Sequence, residues 1–334
     1  MMRALVTGAT GFVGGHLTQA LLGRGDSVRV LARTAERAAT LARAGAEVRI
    51  GDVGEAASIA GIAEGIDTVF HLVRSPTSAS KADFDRIDVR GTELMLREAR
   101  RAGVRRFVYV GTLAGYPVGE RGDGAVIDET TEFDHTGRLG NYVQAKARAE
   151  ALVLAAVDPG VRDGKGLEPV VVRLGLVCGV GTGVFPAHVC QPVSRDWVIL
   201  FGDGGVPLPL LYIGNAVDAL IMAATAPGVA GESFNVVDDE VLTQREYLAL
   251  LRQTTGGRPR VVQLPQLAYY ALGWASELAA AARGKEPTTN RYRIKLRLAR
   301  ARWDCTKARD KLGWRPRVSL RDGLRTTFEK YAGR

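Results

Sequence analysis

Cysteine is scarce in this chain and scattered. Its three cysteines, Cys178, Cys190 and Cys305, have no metal-ligand spacing, and an odd number excludes a fully paired disulfide framework. Reduced thiols in a cytoplasmic compartment are the expectation, and no metal site is expected. Long hydrophobic runs are missing too. The least polar stretch, Leu264 to Ala282, is broken by Pro265, Gln266 and Glu277, so no integral membrane segment is predicted. The N-terminus runs straight into an apolar strand, without the pattern of a secretory signal. There is no internal repeat and no low-complexity tract.

Acid is the minority charge, leaving a formal net charge of +9. Such a balance raises the question of nucleic acid. The arginines, however, are spread along the chain, and only Arg291–Arg317 is dense. That segment also carries Trp303, Leu312 and Trp314, which marks a folded basic surface rather than a solvated tail. No nucleic-acid partner is expected; a peripheral membrane contact through this face and residues 264–283 is the lesser alternative. What is present is ordinary for a globular protein: 334 residues, 46% hydrophobic and 24% charged, enough to bury a full core.

The first half alternates strand and helix patterns, which predicts an α/β fold with a parallel sheet covered on both faces. Strands are expected at Arg3–Thr7, Ser27–Ala32, Glu47–Ile50, Thr68–Val73, Arg106–Val110 and Val170–Leu174. Helices are expected at Phe12–Leu22, Ala35–Ala44, Ala56–Glu64, Phe84–Ala102 and Tyr142–Val157. After Gly175 glycine and proline become frequent, as in a smaller, irregular domain over the carboxyl edge of the sheet. The expected division is a dinucleotide-binding domain over 1–175, with 214–237 returning to it, and a C-terminal substrate-binding domain over 176–213 and 238–334.

The segment Gly8-Ala9-Thr10-Gly11-Phe12-Val13-Gly14 joins the first strand to the first helix. Gly8 permits a tight turn, Gly11 admits a pyrophosphate close to the backbone, and Gly14 allows the helix to pack on the strand. Free N–H groups at the helix start favour the phosphate charge. Strand before and helix after are the context that makes this glycine pattern a Rossmann nucleotide site. Between Ser27 and Ala35 there is no acid to accept from an NAD ribose; the strand ends in Arg33, suited to a 2′-phosphate. NADP is therefore the expected cofactor, with NAD the alternative. Asp52, after the third strand, is expected near adenine.

Tyr142-Val143-Gln144-Ala145-Lys146 sets a phenol and an ammonium on one face of a helix. An adjacent ammonium favours phenolate, so Tyr142 is expected to exchange protons nearer neutral pH than free tyrosine. Thr112, at the end of the fifth strand, offers a hydroxyl to the same substrate oxygen.

These features together resemble the extended short-chain dehydrogenase/reductases, the NAD(P)-dependent epimerase/dehydratase family. The resemblance runs from the glycine loop through Phe70-His71-Leu72, Val89-Arg90-Gly91-Thr92, Arg106–Val110, Tyr142–Lys146 and Arg173–Gly179, and weakly to Lys307–Pro316. It implies a catalytic group of Thr112, Tyr142 and Lys146, with Lys146 also bonded to the nicotinamide ribose. It further implies cofactor contacts from Gly8, Thr10, Gly11, Phe12, Val13, Gly14, Arg33, Asp52, Val53, Leu72 and Val73, and from Tyr142 and Lys146. A homodimer through the helices carrying Asp88 and Tyr142 is expected on the same ground.

Departures from the family pattern bear on the substrate. Asp88 stands where asparagine is usual, and Thr112 where serine is usual. Leu176 replaces an asparagine found in nucleotide-sugar relatives, and Val206–Leu211 lacks the arginine that holds a diphosphate. A buried diphosphate without such partners is costly, so an apolar pocket is expected. The leading expectation is an NADP-dependent ketoreductase or alcohol dehydrogenase acting on a lipophilic small molecule, similar to the dihydroflavonol reductase and 3β-hydroxysteroid dehydrogenase branch. The alternative is a nucleotide-sugar epimerase or dehydratase, with His188 or Arg195 replacing the missing cation. A non-catalytic NADP-binding module is third.

Overall fold

A computed structural model of the chain describes residues 1–332 apart from 77–78, 164–165, 285–286 and 288. Its centre is a seven-stranded parallel sheet of β1 (Arg3–Thr7), β2 (Ser27–Ala32), β3 (Glu47–Ile50), β4 (Thr68–His71), β5 (Arg106–Thr112), β6 (Glu168–Leu174) and β7 (Ser233–Val236). The spatial order is β7-β6-β5-β4-β1-β2-β3. Both faces of the sheet are covered, so the strands are apolar on both sides: Ala4, Leu5 and Val6 are all fully buried, as are Val170, Val171 and Val172. Each valine or leucine among them, taken from water, contributes about 1.5–3 kcal/mol.

The chain crosses from β3 at one edge back to β4, beside β1. Strand order therefore reverses between β1 and β4, and the carboxyl ends of those strands open a crevice there. The glycine loop leaves β1 at this point, and the Phe12–Gly23 helix begins in it. Thr112 is the last residue of β5, two residues longer than the sequence pattern indicated.

Three expected helices differ, the least changed being Tyr142–Val157, which spans Asn141–Leu154. The Ala56–Glu64 segment is helical only over Ala56–Ile59; Gly61 and Gly65 then take φ of +74° and +70° and turn the chain. The Phe84–Ala102 helix starts earlier, at Lys81, and passes through a π turn at Phe84–Arg90 before regular helix over Gly91–Arg101.

Residues beyond Gly175 form short pairings: Leu176–Cys178 with Leu210–Tyr212, and Trp197–Phe201 with Arg260–Leu264. The strand Ser233–Val236 joins the main sheet beside β6. Trp314 is fully buried and its indole N–H donates to the Asn215 carbonyl at 3.0 Å, tying the basic C-terminal segment to the Ile213–Thr225 helix. No described helix is long and apolar enough to cross a membrane.

Candidate active site

The glycine loop is closely packed where it must be. A Cβ on Gly14 would lie 2.3 Å from the Gly8 carbonyl oxygen, and one on Gly8 would lie 2.8 Å from the Leu72 carbonyl. Gly8 also sits at φ +73°, a left-handed conformation costly for other residues. Gly11 caps the Phe12–Gly23 helix without any side-chain bond, so the first-turn N–H groups remain available to an anion. Thr10 and Gly11 are exposed, and Phe12, Val13, Leu72 and Val73 half-buried around them. This cradle fits a dinucleotide pyrophosphate.

Arg33 is exposed just past β2, ahead of Thr34, which caps the next helix. Asp52 is turned toward its own loop: its Oδ1 accepts from the Gly54 N–H at 2.8 Å and pairs with Arg86 at 3.2 Å. Val53 is buried against Gly91, where an added Cβ would meet it at 2.9 Å.

Thr112, Tyr142 and Lys146 come together at the carboxyl end of β5. The Asn141–Leu154 helix starts at Gly140, whose φ of +87° admits the entry turn, and presents Tyr142 and Lys146 one turn apart. Tyr142 is half-buried, with the Thr112 hydroxyl beside its own. Lys146 is buried, donates to the Val110 carbonyl at 2.7 Å and lies 4.2 Å from the centre of the Tyr109 ring.

The electrostatics differ from the expectation that Lys146 would lower the Tyr142 pKa. Burial raises the phenol above its ordinary value; Arg74 and the neighbouring Thr112 hydroxyl oppose this, and Asp88 adds to it. The cation acting on the phenol is therefore Arg74, from the loop after β4. Lys146 is itself pushed down to about 8 by burial, with Asp88 and Glu150 favouring its charge and Arg74 opposing it. Tyr142 is thus a protonated phenol at neutral pH, beside an amine close to its titration point.

A second row of polar groups backs the site. Asp88 is buried on the π turn; its Oδ2 accepts from the Ser75 N–H at 3.0 Å, and its Oδ1 is buried without a partner. The Thr92 hydroxyl donates to the Asp88 carbonyl at 2.6 Å. His71 is fully buried between the hydroxyls of Thr7 and Thr92, at 2.8 and 3.1 Å. Burial and the nearby Lys146 hold its pKa near 3, so it is neutral. The π turn is what swings Asp88 inward; such turns recur at functional sites.

The Val206–Leu211 segment does not line an open pocket. Val206, Leu208, Leu210 and Leu211 are buried in the core. The proposed substitutes separate: Arg195 lies over the Tyr331 ring, whereas His188 lies in a small cavity with Gln244, Tyr269 and Arg297, where burial and Arg297 push its pKa down to about 4, so it is neutral and no cation. Sequence reading missed Arg297 and Arg74. Neither has a local signal, since each reaches its place through long-range packing.

The comparisons with known proteins agree with this geometry. The model of the NAD dependent epimerase/dehydratase family matches residues 4–236. A ketoreductase of Stigmatella aurantiaca, acting on 4-hydroxy-2-methyl-3-oxo-4-farnesyl-3,4-dihydroquinoline-1-oxide, is 31% identical over 97% of this chain and 95% of its own. A 3 beta-hydroxysteroid dehydrogenase/Delta 5-->4-isomerase of Mycobacterium tuberculosis is 31% identical over 81% of this chain and 75% of its own. Among solved structures, a UDP-glucose 4-epimerase of Thermotoga maritima superimposes with a TM-score of 0.74 at 23% identity, over 99% of both chains. The chain belongs to the NAD-dependent epimerase/dehydratase family and is an NAD(P)-dependent oxidoreductase of the extended short-chain dehydrogenase/reductase type.

Proposed function

We propose that this chain is an NADP-dependent ketoreductase or alcohol dehydrogenase for a lipophilic small molecule. The observation that carries the reading is Tyr142: a phenol kept protonated by burial, with the Thr112 hydroxyl beside it at the crevice of a dinucleotide fold. Support for the substrate class comes from the names of two relatives, one reducing a farnesylated quinoline oxide and one acting on hydroxysteroids.

Bound NADPH supplies the hydride from nicotinamide C4. The hydroxyls of Thr112 and Tyr142 hold the substrate carbonyl oxygen, and Tyr142 gives it a proton as the carbon is reduced, leaving an alcohol. Lys146 spends one N–H on the Val110 carbonyl and keeps two donors for the nicotinamide ribose. Gly8 to Gly14 and the helix start would hold the pyrophosphate, and Arg33 the 2′-phosphate. Residues 176–213 and 238–332 would cover the substrate, and the helices of Asp88 and Tyr142 would form a homodimer contact.

The test is Tyr142→Phe. Turnover of a ketone with NADPH should fall by about 10²–10⁴-fold while cofactor affinity stays within about twofold. Retained activity would refute the mechanism. A second reading is epimerisation of a nucleotide sugar, for which Arg297, now donating to the Tyr269 hydroxyl at 2.7 Å, would have to turn to a phosphate. An epimerase returns its hydride within one turnover and keeps its cofactor through purification. A reductase consumes added NADPH in proportion to product.

A further inference from the structure

The Gln266–Ala281 helix has two unlike faces. Its inner row is committed to the protein. Tyr269 stacks on Phe201 with ring centres 4.1 Å apart, Gly273 packs against Ile294, and Ala280 is buried. Glu277, its one charged residue, also turns inward and pairs with Arg291 at 2.9 Å. The outer row, at spacings of three and four, is Leu267, Ala271, Trp274 and Leu278, with Leu272 alongside. Leu267 is 80% exposed, Trp274 55%, Leu278 53% and Leu272 53%. A contiguous apolar stripe of this kind marks an interaction surface.

Charge decides what covers it. In the stretch from Arg258 to Arg300 arginine and lysine outnumber the acids Glu277 and Glu286, even with Arg258, Arg291 and Arg300 paired to Asp196, Glu277 and Asp203. Arg283, just past the helix end, and Lys295, on the adjoining Arg291–Arg297 helix, are exposed. Arg260 lies over the half-exposed Trp197 ring at 5.3 Å. A second copy related by a two-fold axis would set this basic rim against itself. A surface of anionic lipid headgroups complements it, with the leucines and Trp274 entering the acyl boundary. We infer that this helix docks the enzyme onto anionic lipid bilayers, lying in the interface plane.

The face is also connected to the chemistry. On the adjoining helix, Tyr292 donates to Asp134 Oδ2 at 2.6 Å, and Asn290 reaches the Arg138 carbonyl at 3.4 Å. Both contacts fall on the loop that leads into the helix of Tyr142 and Lys146. A lipid-facing element next to that loop would bring an apolar substrate to the site without passage through water.

The test uses the full chain and vesicles alone, with no substrate, so it fails or succeeds independently of the ketoreductase reading. Sedimentation with phosphatidylglycerol–phosphatidylcholine vesicles at low salt should carry the wild-type protein down, and pure phosphatidylcholine should carry far less. The double change Leu267→Glu and Leu278→Glu should raise the lipid needed for half-binding by about tenfold or more. Arg283→Glu should raise it about fivefold or more. Brominated acyl chains should quench wild-type fluorescence, and Trp274→Phe should remove most of that quenching, Trp197 on the rim accounting for the rest; this arm needs no disruptive change. Wild-type protein that stays in the supernatant overturns the inference, as does a double variant that binds like wild type. It is also overturned if the double change abolishes a concentration-dependent dimer while vesicle binding is absent.

Discussion

Two buried polar clusters share the Asn141–Leu154 helix and do opposite work. Around Lys146 lie Asp88, Tyr109, Tyr142 and Thr112. One turn further on, Glu150 meets Arg173, whose guanidinium bonds it at 2.5 and 2.9 Å, bonds the Tyr116 hydroxyl, and lies 4.5 Å from the Phe133 ring. Tyr116 donates onward to Asn235 at 2.9 Å, whose N–H donates to Glu129 at 2.6 Å. The second cluster pairs its charges internally and fastens the 116–133 segment to β6 and β7, leaving the Asn235 amide nitrogen as its one buried group without a partner. In the first, a charged oxygen, Asp88 Oδ1, and the Tyr109 hydroxyl lack partners. Paired charges hold a fold together, whereas a buried carboxylate oxygen left open invites a partner.

The contrast breaks most sharply at Glu150. Glu150→Ala leaves the Arg173 cation buried and unpaired, and should cost about 3–5 kcal/mol in chemical denaturation. A loss below about 1 kcal/mol would mean that the cluster is not structural. A smaller effect is expected at the cofactor end. Arg33→Ala should weaken NADP binding about tenfold and leave NAD binding nearly unchanged, as measured by fluorescence titration; equal losses would exclude Arg33 from the 2′-phosphate site.

The subtlest test is Asp88→Asn. Under the proposed mechanism, reduction needs Tyr142 protonated and Lys146 charged, so activity should fall as pH rises through the Lys146 value of about 8. The Asp88 carboxylate raises both groups, so its removal should lower both and move the basic limb of kcat/KM toward acid by about one pH unit. A profile unmoved by this change would show that Asp88 supports only the fold.

Much of this was legible in the sequence because it is local. The glycine loop, the strands to β5 and the four-residue interval between Tyr142 and Lys146 follow from short-range pattern. The sign of the Tyr142 shift was not legible, because burial sets it; the cation that opposes it, Arg74, reaches the phenol only through the adjacency of β4 and β5. Nor was the fate of Val206–Leu211, where apolar residues suggested a pocket wall and instead fill the core. An apolar run alone does not tell a cavity lining from packed interior.

The π turn at Phe84–Arg90 has a consequence for anyone trimming this chain. It accommodates one residue more than a regular α-helix would, and each residue of a helix advances about 100° around its axis. Deleting a single residue between Phe84 and Ile87 would restore ideal hydrogen bonding, yet rotate either Asp88 or everything upstream by roughly that angle. The irregularity works as a phase setting: a tidier helix would aim a different side chain at the lysine.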